Sequence, residues 1–193
     1  LVESWNGSAW SIVTSANAAG KKGNALNAVS CTSSSACTAV GVARDSAIGV
    51  AATVSLVERW NGSAWSIQSS PNHPTASETL FEDVSCPSAS LCLAVGRSGN
   101  SIPVGGSAAG LAAIWDGTEW KMSLTDLSGS LYGVSCTSTT SCHAAGDTLG
   151  RRWNGTTWTG EDVAKPFEAT QVKIAEVSCV AASDCLAFGS YQG

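Results

Sequence analysis

The sequence predicts an all-β protein: a β-propeller of four blades, each of four antiparallel strands. Three observations predict it. A tryptophan motif, L-x-x-x-W-[ND]-G-[ST]-x-W, occurs four times, at Leu1–Trp10, Leu56–Trp65, Leu111–Trp120 and Leu149–Trp158. A cysteine motif, [LFI]-x-x-V-S-C-x5-C-x-A-x-G, alternates with it at Leu26–Gly41, Phe81–Gly96, Leu131–Gly146 and Ile174–Gly189. All 8 Trp and all 8 Cys of the 193 residues fall inside these motifs. Successive first tryptophans are 55, 55 and 38 residues apart and successive first cysteines 55, 50 and 43, which is the repeat length of a four-stranded blade. No segment carries sustained helical periodicity.

Each cysteine motif reads as a hairpin of strands A and B. "AVSC" and "CTAVG" are short strands and "TSSSA" is the polar loop between them. Cysteines that face each other across such a hairpin suit a disulfide, which pairs Cys31 with Cys37, Cys86 with Cys92, Cys136 with Cys142 and Cys179 with Cys185. Each bridge closes a short loop and adds about 2 kcal/mol. Four of them imply an oxidising compartment, secreted or at the cell surface. Zinc ligands prefer shorter spacings or recurrent histidines, and His73 and His143 do not recur, so no metal is expected.

Each tryptophan motif reads as the hairpin of strands C and D. Asn61-Gly62 suits a two-residue type I′ turn, which pairs Trp60 with Ser63, Glu58 with Trp65 and Leu56 with Ile67. Leu56, Trp60, Trp65 and Ile67 then share one face, and that parity also holds for a four-residue turn. The main role expected of these indoles is packing between sheets. Asn6, Asn61 and Asn154 also fit the N-glycosylation acceptor. The turn accounts for them without sugar, and Asp116 replaces Asn in the third copy.

The order of parts predicts closure. The chain opens with C and D, runs through three A-B-C-D units and ends with A and B. A single domain over 1–193 follows, with blades at approximately 26–68, 80–124, 131–160, and 174–193 joined to 1–14. Two chains could instead complete an eight-bladed ring, so the expected state is a monomer, or a dimer if the ring is completed between chains. The repeats leave the B–C stretches 43–54 and 97–110 and the D–A stretches 14–25, 69–79, 124–130 and 160–170 variable, and variable loops on a rigid scaffold are where function commonly sits. The third B–C connection shrinks to about Asp147-Thr148.

Composition excludes several classes. Charged residues are 13% of the chain and the formal net charge is −5; Lys and Arg cluster only at Lys21-Lys22 and Arg151-Arg152, so no nucleic acid partner is expected. No apolar run is long enough to span a membrane. The chain opens on Leu1 with neither an initiator Met nor a leader, which suggests a start inside a longer precursor, after processing, or at an engineered boundary.

The alternation of "VSCxSxxxCxAVG" with "LxxxWNGxxW" resembles repeats of secreted actinobacterial proteins, mostly of unassigned function, over nearly the whole chain. "WNGSAWS" is also similar to the blades of bacterial propeller lectins, which bind fucose and related sugars between blades. That likeness covers only the tryptophan hairpins, and those lectins lack the repeated cysteine pair. The sialidase box S-x-D-x-G-x-x-W fails at Asp116, where Gly117 follows directly.

The function expected is therefore a secreted, non-enzymatic binding module. A carbohydrate ligand would stack on Trp5, Trp60, Trp115 and Trp153, the candidate ligand-binding residues. The alternative is a protein-interaction or adhesion scaffold, as a fragment of a larger propeller or surface protein would be. An enzyme is the third reading. His73 lies in a Pro-rich loop, and Thr38, Leu93 and Leu186 replace His143 in the other repeats. Glu82, Asp83 and Glu176 precede the VSC strands without defining a mechanism, so no catalytic residue and no cofactor is assigned.

Overall fold

The computed structural model describes residues 1–45, 53–100, 108–147 and 150–193. The described residues form sixteen strands. They are β1 (Val2–Trp5), β2 (Trp10–Val13), β3 (Gly23–Ser33), β4 (Ala36–Arg44), β5 (Thr53–Trp60), β6 (Trp65–Gln68), β7 (Glu78–Ser88), β8 (Leu91–Gly99), β9 (Ala109–Trp115), β10 (Trp120–Ser128), β11 (Leu131–Ser138), β12 (Ser141–Gly146), β13 (Gly150–Trp153), β14 (Trp158–Glu161), β15 (Gln171–Ala181) and β16 (Asp184–Gln192). Strands β3–β6, β7–β10 and β11–β14 are antiparallel four-stranded blades in the expected A-B-C-D order. A single parallel bridge, Thr53 to Glu78, links the first two blades into one sheet. The B–C stretches 43–54 and 97–110 lie partly outside the described residues, as does the short third connection.

The four disulfides form as the spacing predicts, each with Cα atoms 3.9 to 4.0 Å apart. Cys31 faces Cys37 directly in the β3–β4 register, and Cys136 faces Cys142 in β11–β12. So close a pair belongs to the narrow, non-hydrogen-bonded kind. The first cysteine's N–H therefore points away from strand B, to the free edge of strand A.

That free edge joins the blades. Ser30 Oγ accepts from the Cys86 N–H, Ser85 Oγ from the Cys136 N–H, and Ser135 Oγ from the Cys179 N–H, all at 3.0 Å. The Ser-Cys dipeptide thus serves twice. Its Cys closes its own hairpin and its Ser takes the next blade's amide. The motif glycine has a separate cause. Strand A bulges at the residue after its Leu, Phe or Ile, with register shifts at Leu26/Ala28, Phe81/Asp83, Leu131/Gly133 and Ile174/Glu176. The bulge drives a strand-A carbonyl against strand B, and a Cβ at Gly96 would lie 2.1 Å from the Leu80 oxygen. Only glycine fits there.

The blades stack face to face in a propeller-like succession. Val40 and Val57 of the first blade pack on Phe81, Val84, Ala94 and Leu111 of the second. The residues of opposite parity, Leu93, Val95 and Ala112, pack on Leu131, Val134 and Ala144 of the third. The alanines let the sheets approach closely, and the second blade thereby buries both faces.

The ends differ from the middle. Strands β1 and β2 form a sheet of their own, and so do β15 and β16. The expected closing pair, β1 against β16, is not made within the chain among the described residues. Val29 is 60% exposed, while its counterparts Val84, Val134 and Val177 are 5%, 4% and 6% exposed. Phe188 is 67% exposed, against 0% for Val40 and Val95. Among the described residues no four-stranded sheet covers Val29 or Phe188.

The serine ladder gives a measurable contrast. Ser85→Ala strands a half-buried amide and should lower the unfolding free energy of the oxidised chain by about 1–2 kcal/mol. Ser178 is exposed, and Ser178→Ala in the dilute chain should leave denaturant unfolding unchanged. Equal losses from the two would show that the ladder does not hold the blades together.

Candidate binding site

The tryptophan hairpins differ from expectation in register. Trp5 pairs with Trp10, Trp60 with Trp65, Trp115 with Trp120 and Trp153 with Trp158. Glu58 faces Ile67, not Trp65. The turn therefore has four residues rather than two. A type I′ turn needs positive φ at two residues, and here only the glycine has it, at 96° in Gly62. The side chain of the preceding Asn supplies the rest. Asn61 Oδ1 accepts from the Ser63 N–H, the Ser63 hydroxyl and the Ala64 N–H, each at 2.9 Å. Asn6, Asp116 and Asn154 repeat the arrangement, an Asx turn that competes with the two-residue hairpin. The parity prediction holds, and each tryptophan pair is in ring contact, 5.6 to 6.1 Å between centroids.

The four candidate residues sit in different surroundings. Trp115 and Trp153 are 7% and 6% exposed, packed against the preceding blade. Trp60 is half-buried, and Trp5 is 51% exposed. Three of the four indole N–H groups find the same partner, a carbonyl in the A–B turn of their own blade. Trp60 Nε1 donates to Ser34 O at 3.2 Å, Trp115 Nε1 to Ala89 O at 3.3 Å and Trp153 Nε1 to Thr139 O at 3.2 Å. The corresponding carbonyl for Trp5 would be that of Ala182, in the hairpin at the far end.

Trp5 and Trp60 meet across a cleft of about 660 Å3 between the β1–β2 hairpin and the first complete blade. Trp10, Trp65, Val29 and Ser34 also line it. Residues from both faces of β1, Glu3 and Trp5 on one and Val2 and Ser4 on the other, border it, so it runs along the strand's unpaired edge. Ser4 explains why this interface stays open. Its counterpart Arg59 lays its guanidinium 4.7 Å over the Trp115 ring of the next blade. The counterpart Ile114 packs into the cluster that holds Trp153. Ser4 is too short to cover Trp60.

The linker after β2 is fixed beside the same blade. Ser15 Oγ and the Ala16 N–H each donate to the Glu58 carboxylate at 3.1 Å, and Glu58 is fully buried. Sequence reasoning missed this carboxylate; its counterparts are Glu3, Ala113 and Arg151, so the repeat pattern did not mark it.

The acidic residues before the VSC strands come together from separate blades. Asp83 accepts from its own Val84 N–H and from the Val134 N–H of the next blade, both at 2.7 Å. Burial raises its carboxyl above the ordinary value, against those two hydrogen bonds. Glu176 is raised by burial and then by the charge of Asp83. Gly133 makes room between them, since a Cβ there would lie 2.8 Å from the Glu176 backbone. On the surface, the Lys121 ammonium, together with the Thr118 hydroxyl and backbone N–H groups, holds the Asp116 carboxyl far below its usual range.

The histidines each meet one carboxylate: His73 Nε2 lies 3.1 Å from Asp126, and His143 Nδ1 lies 2.9 Å from Glu161. His143, Cys179 and Cys185 converge within 4.8 Å, but the two sulfurs are bonded to each other and offer no thiolate.

No protein-family model matches the chain, and no curated protein matches it in sequence. Among solved structures it resembles one described as "YCF48 bound to D1 peptide", with a TM-score of 0.47 and 11% identity, over 89% of this chain and 47% of that one. The chain spans about half the length of that protein. So distant a likeness carries no argument here; the propeller-like reading rests on strand order, register and blade packing.

Raised folded-state pKa values favour the protonated acids. Asp83 and Glu176 therefore cost stability as pH rises from the ordinary carboxylate range through their folded values. With Asp83→Asn, the Glu176 carboxyl followed by NMR should titrate lower than in the parent, while staying above its ordinary value because burial remains. An unchanged titration would show that the two carboxylates do not interact.

Proposed function

We propose that the chain is a non-enzymatic binding module of an oxidising compartment, a single propeller domain that takes up an extended polypeptide strand in the cleft beside β1. The observation that carries this reading is the coincidence of an unpaired strand edge with an apolar floor. Main-chain groups along β1 can pair with an added strand, while Trp60, Trp65 and Val29 receive alternate side chains. The four disulfides support the compartment. Among the described residues no helix is long and apolar enough to cross a membrane. Four blades per chain belong to the same proposal, with β15–β16 and a β1–β2 hairpin, its own or that of a second chain, making the fourth.

A second reading is a carbohydrate ligand. Trp5 and Trp10 stand at the rim with much of their ring surface exposed, and exposed indoles can stack on the apolar face of a sugar.

Panning a peptide display library on the sparsely immobilised, non-reduced chain tests the first reading. Recovered peptides should alternate apolar and polar residues. Ser4→Arg, which copies Arg59 and covers Trp60, should weaken them at least about tenfold, or 1.4 kcal/mol. Undiminished binding to Ser4→Arg removes the cleft from consideration. A glycan-array signal competed by free sugar, with no peptide recovered, selects the second reading.

A further inference from the structure

We infer that the strand seated beside β1 is β16 of a second copy of this chain, so that two chains join head to tail and each completes the other's last blade. This rests on the strand-binding reading above and names its partner. The observations are contacts that the interior repeats make and that, among the described residues, are missing at the two ends. Each missing contact has its donor at one end of the sequence and its acceptor at the other.

The serine ladder has one acceptor and one donor over. Ser178 Oγ occupies the position of Ser30, Ser85 and Ser135, and among the described residues it has no partner. The Cys31 N–H occupies the position of the Cys86, Cys136 and Cys179 amides, with no serine before it. The indole series is one short in the same way. Trp5 Nε1 lacks the A–B turn carbonyl that Trp60, Trp115 and Trp153 use, and that carbonyl is Ala182 O. Ala182 O accepts from His143 Nε2 at 3.3 Å and keeps a second lone pair. Arg152 stands where Arg59 stands, exposed and without a ring to cover, and the ring due there is Trp5. The apolar faces match as well: Phe188 and Leu186 are exposed at the tail and Val29 at the head, and their interior counterparts pack on one another.

A single chain does not make these contacts. Its hairpin is fixed beside the first blade through Ser15 and Ala16 on the buried Glu58 carboxylate. Three four-stranded sheets separate it from β16, and among the described residues both strand edges are unpaired. The joint is heterologous, head against tail, so it propagates unless it closes. Closure after two copies gives eight blades, within the ordinary propeller range of roughly four to eight.

Sedimentation and light scattering on the full oxidised chain test this. The wild-type chain should have twice the mass of one chain, and dilution should dissociate it. Two charge substitutions at positions exposed in the single chain separate the ends. Val29→Asp spoils only the head and Phe188→Asp only the tail. Each alone should be monomeric, with unchanged unfolding of the single chain. Their mixture keeps one good head and one good tail, and should give a 1:1 heterodimer. A wild type that stays monomeric across micromolar concentrations overturns the inference, as does a mixture that stays monomeric or a variant that still pairs with itself. A monomer that still binds panned peptides in a Ser4-dependent way overturns this inference alone; a monomer that binds none overturns the strand-binding reading too.

Discussion

The amide of the first cysteine in each A–B hairpin is the point on which the structure depends. Because the two cysteines form a narrow, non-hydrogen-bonded pair, that N–H cannot be satisfied inside its own sheet. Covering a backbone amide without giving it a partner costs about 1–3 kcal/mol, so the neighbouring blade that covers it must bring an acceptor. The serine immediately before the cysteine of the preceding blade does so three times at the same distance. One dipeptide thereby fixes both the closure of a hairpin and the step from blade to blade.

The other constant residues of the repeats act within their own blade. The bulge in strand A forces the glycine of C-x-A-x-G because a carbonyl occupies the space of a side chain. The first tryptophan closes the outer side of the blade by donating to the A–B turn. The Asn or Asp before the glycine of the tryptophan turn holds the C–D hairpin by taking two amides on one oxygen. Each motif residue thus has a local reason. The residues between them, such as Ser4 against Arg59 or Ala28 against Asp83, are what distinguish one interface from the next.

Much of this was legible in the sequence because repetition multiplies weak signals. The cysteine pairing, the alternating hairpins and the A-B-C-D order could be read from eight cysteines, eight tryptophans and their spacing. The turn length could not. Asn-Gly favours a two-residue turn by backbone preference, and the side chain of Asn61 overrides it by accepting three hydrogen bonds. The candidate site was half legible. The tryptophans were visible, but which remain accessible depends on the neighbouring blade, and a serine at position 4 carries no signal without the arginine laid over Trp115. Nor could sequence show that the two half-blades stay apart in one chain, because strand order gives the connection and not the curvature between blades.

The most direct test of the account is hydrogen exchange at the four equivalent cysteine amides, measured on the oxidised chain at high dilution. Cys86, Cys136 and Cys179 should exchange slowly, at rates set by opening of the blade interface, and Cys31 should exchange orders of magnitude faster. If Cys31 is protected as strongly as the other three in the single chain, the ring is already closed within it, and the open ends described here are wrong. If all four exchange fast, the serine ladder does not hold the blades.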